Sequence, residues 1–347
     1  MDIATIRSSA REALKGFCRV CPVCDGRVCA GEVPGMGGTG TGAAFRENLE
    51  ALRRYRLNLR TLHAVKAVDV SVELFGTTLA MPILAAPMAG TTYNMGGKLS
   101  EAAFISAVIG GARDAGTFGM CGDGADAGMY ESGLAAISAA GGLGAAILKP
   151  RAQDEIVKRL RMAEAAGALA VGMDIDGAGL VTMALKGQPV GPKTPQELAE
   201  IIGATSRPFI VKGVMTPDEA MSAAKAGAAA IVVSNHGGRV LDHTPGTAEV
   251  LPDIAAKVKG QTKVLVDGGV RSGADVLKML ALGADAVLVG RPLVVGAFGG
   301  GAEGVAAILN KLKAELVSAM LLTGTASARG VSPGIVSLRP CGTGSAA

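Results

Sequence analysis

The stretch Ala229-Ala230-Ile231-Val232-Val233-Ser234-Asn235-His236-Gly237-Gly238-Arg239 joins an apolar run to a cluster of polar residues and glycines. The run is short, continuous, rich in β-branched side chains and closed by glycines, which predicts a buried parallel strand. The residues after the strand carry chemistry rather than packing. His236 is one of 3 histidines in 347 residues. Arg239 stands three positions on, past two glycines that let backbone approach a ligand closely. A titratable base and a fixed cation at a strand end suit removal of a proton from a carboxylate-bearing substrate. A surface turn with solvated His and Arg is the bland alternative.

Outward from this strand the chain alternates. Strands are expected at 82–89, 116–122, 143–149, 169–175, 208–213, 229–234, 263–267 and 286–290. Helices are expected at 99–114, 131–140, 152–166, 194–205, 216–226, 247–259, 272–283 and 302–322. Helix starts carry capping residues: Ser100, Thr194 and Thr216 (the last two before prolines), and Ser272 ahead of Asp275. Several helices end in Ala-Gly or Leu-Gly. This pattern predicts an α/β fold, a TIM (β/α)8 barrel. A doubly wound open sheet is second, weakened because no Gly-x-Gly-x-x-Gly opens the first helix.

Catalytic groups of a barrel sit at the C-terminal ends of its strands. Those ends here are Pro87-Met88-Ala89, Cys121-Gly122, Lys149, Asp174 with Asp176, Lys212, His236 with Arg239, Asp267-Gly268-Gly269, and Gly290-Arg291. Strand interiors carry almost no charge, and buried lysines and aspartates are rare unless paired. Asp267-Gly268-Gly269-Val270-Arg271-Ser272-Gly273 and Gly290-Arg291-Pro292 come after strands seven and eight, the usual place of a barrel phosphate site, and predict a phosphate-bearing ligand.

Composition fits a globular protein with an ample core: 49% hydrophobic, 18% charged, Gly 51, no Trp. A net charge of +4 without a long basic block argues against nucleic acid or an anionic membrane as partner. No apolar stretch is read as a membrane span and no export signal is recognised, so a cytoplasmic protein is expected. Cys18, Cys21, Cys24 and Cys29 lie within twelve residues, and Cys121 and Cys341 stand alone. The C-x2-C-x2-C-x4-C spacing is that of ligands to zinc or an iron–sulfur cluster, with incidental thiols as the alternative. The glycine-rich 31–42 segment after it is expected to be a loop, folded on a ligand or metal or disordered. Residues 1–80 are expected to form an N-terminal helical and Cys/Gly-rich segment, 81–325 the barrel, and 326–347 a tail.

Residues 207–324 resemble the FMN-dependent α-hydroxy-acid oxidase/dehydrogenase family, which includes glycolate oxidase and lactate oxidase. The resemblance rests on Pro208-Phe209-Ile210-Val211-Lys212-Gly213-Val214, on Val233 to Asp242, on Asp267 to Lys278, and on Gly290-Arg291-Pro292. It continues more weakly through Ala85-Ala86-Pro87-Met88-Ala89 and Val171 to Asp176, covering about 45–325. It implies oxidation of a small (S)-2-hydroxy acid such as lactate or glycolate to the 2-oxo acid, with FMN as cofactor. His236 would be the base and Asp176 its carboxylate partner. Lys212 would lie by the flavin N1–C2 carbonyl, and Arg239 would bind the substrate carboxylate. Ser234 would touch the ring, and Pro87, Met88 and Ala89 would line it with backbone. Asp267, Gly269, Arg271, Gly290 and Arg291 would hold ribityl and phosphate. A homotetramer is also implied.

The sequence departs from the family at the substrate. The family's tyrosines, one N-terminal and one after the third strand, are missing, and that strand ends in Leu148-Lys149-Pro150. Where a second carboxylate-binding arginine follows the fourth strand, this chain has Gly177-Ala178-Gly179-Leu180. Lys149 is expected either to replace that cation at the substrate or to pair with Asp174. The electron acceptor is left open. Competing readings are a non-redox FMN barrel resembling type 2 isopentenyl-diphosphate isomerase, a barrel resembling inosine-monophosphate dehydrogenase, and a flavin- or metal-binding sensor without turnover.

Overall fold

The computed structural model describes residues 1–338; Cys341 and the end of the 326–347 tail lie outside the described residues. Eight parallel strands close into a barrel: Ile83–Met88, Gly119–Gly122, Gly144–Leu148, Ala170–Asp174, Phe209–Val214, Ala230–Val233, Lys263–Val266 and Ala286–Val289. The last pairs with the first through Val287 opposite Ile83, which closes the ring. The strands are short and buried along almost their whole length, as parallel strands covered by helices must be. Each falls within a few residues of its expected position.

The helices begin at the capping residues. Ser100 Oγ accepts from Ala103 N–H, and Thr216 Oγ1 from Glu219 N–H. Thr194 with Glu197 and Ser272 with Asp275 form reciprocal capping boxes. The helix expected at 302–322 is the second arm of a longer one, Arg291–Thr323, whose backbone breaks at Gly300 and Gly301. Undivided, this helix is long and apolar enough to cross a membrane, although no span was expected from the sequence. Most of it is buried here, against the helices Ile3–Ala13, Glu101–Asp114 and Gly273–Ala281.

Three features outside the barrel were not read from the sequence. A hairpin, Val72–Leu74 with Thr77–Leu79, packs Phe75 against Phe118 at the entry of the second strand. Val336–Leu338 pairs antiparallel with Tyr55–Leu57, so the described part of the tail is tied to the N-terminal segment. A 3-10 turn, Ile175–Gly179, and a short helix, Val181–Leu185, come after the fourth strand.

Candidate active site

The strand ends converge on one cavity of about 160 Å³. Pro87, Met88, Ala89, Lys149, Lys212, His236, Arg239, Asp267, Gly269, Arg271, Gly290 and Arg291 all line it. Ser234 does not: it is fully buried, and its Oγ accepts the N–H of His236 at 3.0 Å. Its role is to hold the turn that presents the histidine rather than to face the cavity.

That turn is strained. His236 has φ 57°, and Gly237 and Gly238 come next at 65° and 77°. Three successive left-handed residues swing the chain sharply off the strand, and only the histidine bears a steric cost for it. Gly238 has a further reason to lack a side chain, since a Cβ there would lie 2.4 Å from Phe45 N. Nδ1 of His236 lies 3.1 and 3.2 Å from the carboxylate oxygens of Asp176. The fifth strand makes room for that carboxylate at Gly213, where a Cβ would lie 2.6 Å from Asp176 Cγ. With Nδ1 occupied, Nε2 is the nitrogen left for a ligand.

Beneath the histidine lies a buried charge cluster. Asp174 receives Lys149 Nζ at 2.7 Å and Lys212 Nζ at 2.9 Å, one on each oxygen. Lys212 also lies 3.8 Å from Asp267. Burial alone would raise the pKa of Asp174, but the two ammonium groups outweigh it and hold it far below the usual carboxylate range. Burial likewise opposes the charge on Lys212, and Asp174, Asp267 and Asp176 overcome it, so its pKa is raised. Asp267 is pushed up by burial, with Lys212 opposing. Of the two roles open to Lys149, pairing with Asp174 is the one observed, so its ammonium is engaged rather than free to replace the missing arginine.

Arg239 and Arg291 are held by the glycine-rich segment. Arg239 Nη1 donates to Gly35 O at 2.6 Å and Gly37 O at 3.1 Å, and Nη2 to Asn94 Oδ1 at 2.9 Å. Arg291 donates to Met36 O, Gly37 O and Gly237 O at 2.9, 2.9 and 3.1 Å, with its guanidinium 3.8 Å over the Phe45 ring. Burial lowers the pKa of Arg239 to about 10 and, with help from Arg239 and Arg271, that of Arg291 to about 9. Segment 35–37 therefore lies across the barrel mouth. Asp242 fixes its far end by accepting from Thr41 N–H, Thr41 Oγ1 and Ala44 N–H.

The start of the helix after strand seven departs from the expected phosphate site. Asp275 Oδ2 accepts from the N–H groups of Arg271 and Ser272, and Glu315 takes Gly273 N–H. Those amides are already used, so anion binding falls to the arginines and to the Gly268-Gly269 and Gly290-Arg291 backbone.

Residues that sequence reasoning missed include Asn94, which also accepts Gly35 N–H, and Tyr93, which lines the cavity and whose pKa burial pushes up to about 12. Asp123 is a third. It lines the cavity while binding Arg151, and with Arg159 it locks the end of the third strand. None of these carries a motif; Arg151 alone, two residues past a strand end, could have been flagged.

The residues present fit FMN. Asp267 Oδ1 is buried without a hydrogen-bond partner, an acceptor in want of a hydroxyl. A Cβ at Gly290 would find nothing nearer than Met88 Sδ at 3.7 Å, so the eighth strand end leaves space beside the first. Lys212 is a buried cation suited to an electron-rich ring, and Arg271 and Arg291 to a phosphate.

The sequence pattern of the family of FMN-dependent dehydrogenases matches residues 35–186 and 182–338, and this chain belongs to that family. A peroxisomal (S)-2-hydroxyacid oxidase of Arabidopsis thaliana is 30% identical over 83% of this chain and 86% of its own length. A 2-hydroxyacid oxidase of Dictyostelium discoideum is 46% identical, over 41% of this chain and only 37% of its own length. An L-lactate oxidase of Lactobacillus jensenii is 44% identical over 44% of this chain and 37% of its own. Among solved structures, mandelate oxidase with benzoyl-formic acid superposes with a TM-score of 0.78 at 31% identity, covering 96% of this chain and 97% of that one.

Proposed function

We propose that this protein oxidises a small 2-hydroxy acid to the 2-oxo acid, with FMN as the two-electron acceptor. The observation that carries the reading is the His236–Asp176 pair at the cavity beside Arg239. Flavin, when bound, supplies the electron sink for the two electrons that leave the substrate. The protein supplies the rest. His236 Nε2 takes a proton from the substrate while Asp176 fixes the ring tautomer and favours the imidazolium that results. Arg239 holds the carboxylate once it gives up the carbonyls of Gly35 and Gly37. Pro87, Met88 and Ala89 would form the wall against the flavin ring, and Lys212, kept charged by Asp174, would favour electron density on that ring.

Substrate recognition differs from the family pattern, because one arginine rather than two is available and Lys149 is paired. Tyr93 shares the cavity with His236 and Arg239 and stands in as the phenol near the substrate. A small lactate- or glycolate-like acid is the substrate proposed; a homotetramer and a cytoplasmic location belong to the same proposal.

The test is anaerobic flavin reduction by a panel of hydroxy acids. His236→Ala should cut the rate by roughly two to four orders of magnitude while FMN stays bound. Asp176→Asn should slow the same step less severely, since the base remains. Near-normal reduction in His236→Ala would refute the assignment.

A further inference from the structure

The four clustered cysteines face a second cavity, of about 550 Å³, beside the first. The two share Met36, Gly269, Arg271 and Arg291, but Lys212, His236 and Pro87 line only the first. The thiols thus stand behind the residues that fit the flavin phosphate and against the helix Arg291–Thr323. An expectation from the sequence that a metal centre at these cysteines packs over the barrel mouth does not hold: the segment across the mouth is 35–37.

We infer that Cys18, Cys21, Cys24 and Cys29 ligate an iron–sulfur cluster in this cavity. The segment that bears them is built, not slack. Arg7 donates to Val20 O and Cys21 O at 3.2 and 2.6 Å, and Arg11 to Val20 O at 3.2 Å. Arg19 pairs with Glu32 at 2.6 Å. N–H donors already point at two of the sulfurs: Val20 N–H to Cys18 Sγ at 3.4 Å, and Arg271 Nη2 to Cys24 Sγ at 3.5 Å. Donors to ligand sulfur are a principal means of stabilising and tuning such clusters.

Of the cations that line the cavity, Arg19, Arg53 and Lys311 pair with Glu32, Glu50 and Glu315, and Arg271 is the one that reaches a cysteine sulfur.

Spacing argues against a single zinc ion. A tetrahedral zinc site with bonds of about 2.3 Å needs its sulfurs within about 4 Å of one another. Among the described residues no three cysteine sulfurs lie mutually within 4.8 Å; the one potential ligand trio that does is Asp174, Asp176 and His236, with Asp174 already paired to two lysines. A cluster core holds its thiolates farther apart than a single ion does, and the cavity has room for it.

The test uses full-length, FMN-loaded protein purified without oxygen, so it does not depend on the substrate. Iron and acid-labile sulfide should be present in equal amounts, with a paramagnetic signal on dithionite reduction that flavin alone does not give. Cys24→Ser and Cys29→Ser should each lose most of the iron and sulfide yet keep FMN and the barrel's far-ultraviolet circular dichroism. Stoichiometric zinc without sulfide would overturn the inference, as would metal-free protein with normal FMN content. If a serine variant misfolds, the iron and sulfide content of the unmutated protein still decides.

Discussion

Replacing Asp174 by Asn is the most demanding test of the charge cluster under the site. In the folded protein two ammonium groups, Lys149 and Lys212, face two carboxylates, Asp174 and Asp267, all four buried. Asn fills nearly the same space but removes one negative charge, leaving a surplus buried cation. Breaking a buried pair in this way costs about 3–5 kcal/mol, because the partner stays desolvated. For a domain of this size that corresponds to a melting temperature lower by roughly 4–7 °C. Thermal denaturation of FMN-loaded protein at neutral pH measures it. Adding Lys149→Met to the Asn variant removes the surplus cation and should recover a large part of the loss, a coupling that a double-mutant cycle isolates. The sign with pH is fixed. The pKa of Asp174 is depressed on folding, so its contribution is complete above the unfolded value of 3.8 and fades as pH falls below it. That of Lys212 is raised, so its contribution is complete below 10.5 and fades only in strong alkali. At pH 7 both are fully present. A melting temperature within about 2 °C of the parent would show that the quartet is not held as described.

Arg291→Ala should raise the FMN dissociation constant on the order of tenfold to a hundredfold, the worth of a charge-assisted hydrogen bond of about 1.5–3 kcal/mol, as read by flavin fluorescence titration of apoprotein; a change under about twofold would remove Arg291 from the phosphate site. Asp242 has its carboxyl pKa lowered: burial opposes this, but hydrogen bonds from Thr41, Ala44 and His243 prevail. The anchorage of the loop should therefore hold above the ordinary value of 3.8 and weaken as pH falls below it. Hydrogen exchange at the Thr41 and Ala44 amides checks this, and protection indifferent to pH, after correction for intrinsic exchange, would contradict it.

The barrel was legible because its strands are local signals: Ala230–Val233 and Ala286–Val289 are continuous apolar runs, and the helices between them announce their starts with Ser100, Thr194, Thr216 and Ser272. The Asp176–His236 pair was anticipated through the family resemblance, since sixty residues of chain separate its members. The fate of Lys149 was not. Two outcomes were open to it, and only the meeting of the third, fourth and fifth strand ends around one carboxylate selects between them. Asn94 was invisible for a different reason: its four-residue helix, Thr91–Asn94, has no periodicity, and its importance arises from Arg239, far away in sequence. The glycine run at 31–42 announced a loop but not its destination, because glycines supply freedom without direction. Direction comes from oxygen atoms meeting guanidinium groups. The carbonyls of Gly35, Met36 and Gly37 bind the same two arginines that the proposed reaction needs for carboxylate and phosphate. A carbonyl is a weaker partner for a guanidinium than either anion, so the loop can satisfy the buried arginines in the absence of ligand and still yield to it. Affinity at this mouth is then a difference between two sets of hydrogen bonds, and the loop that carries one set continues directly into the cysteine segment.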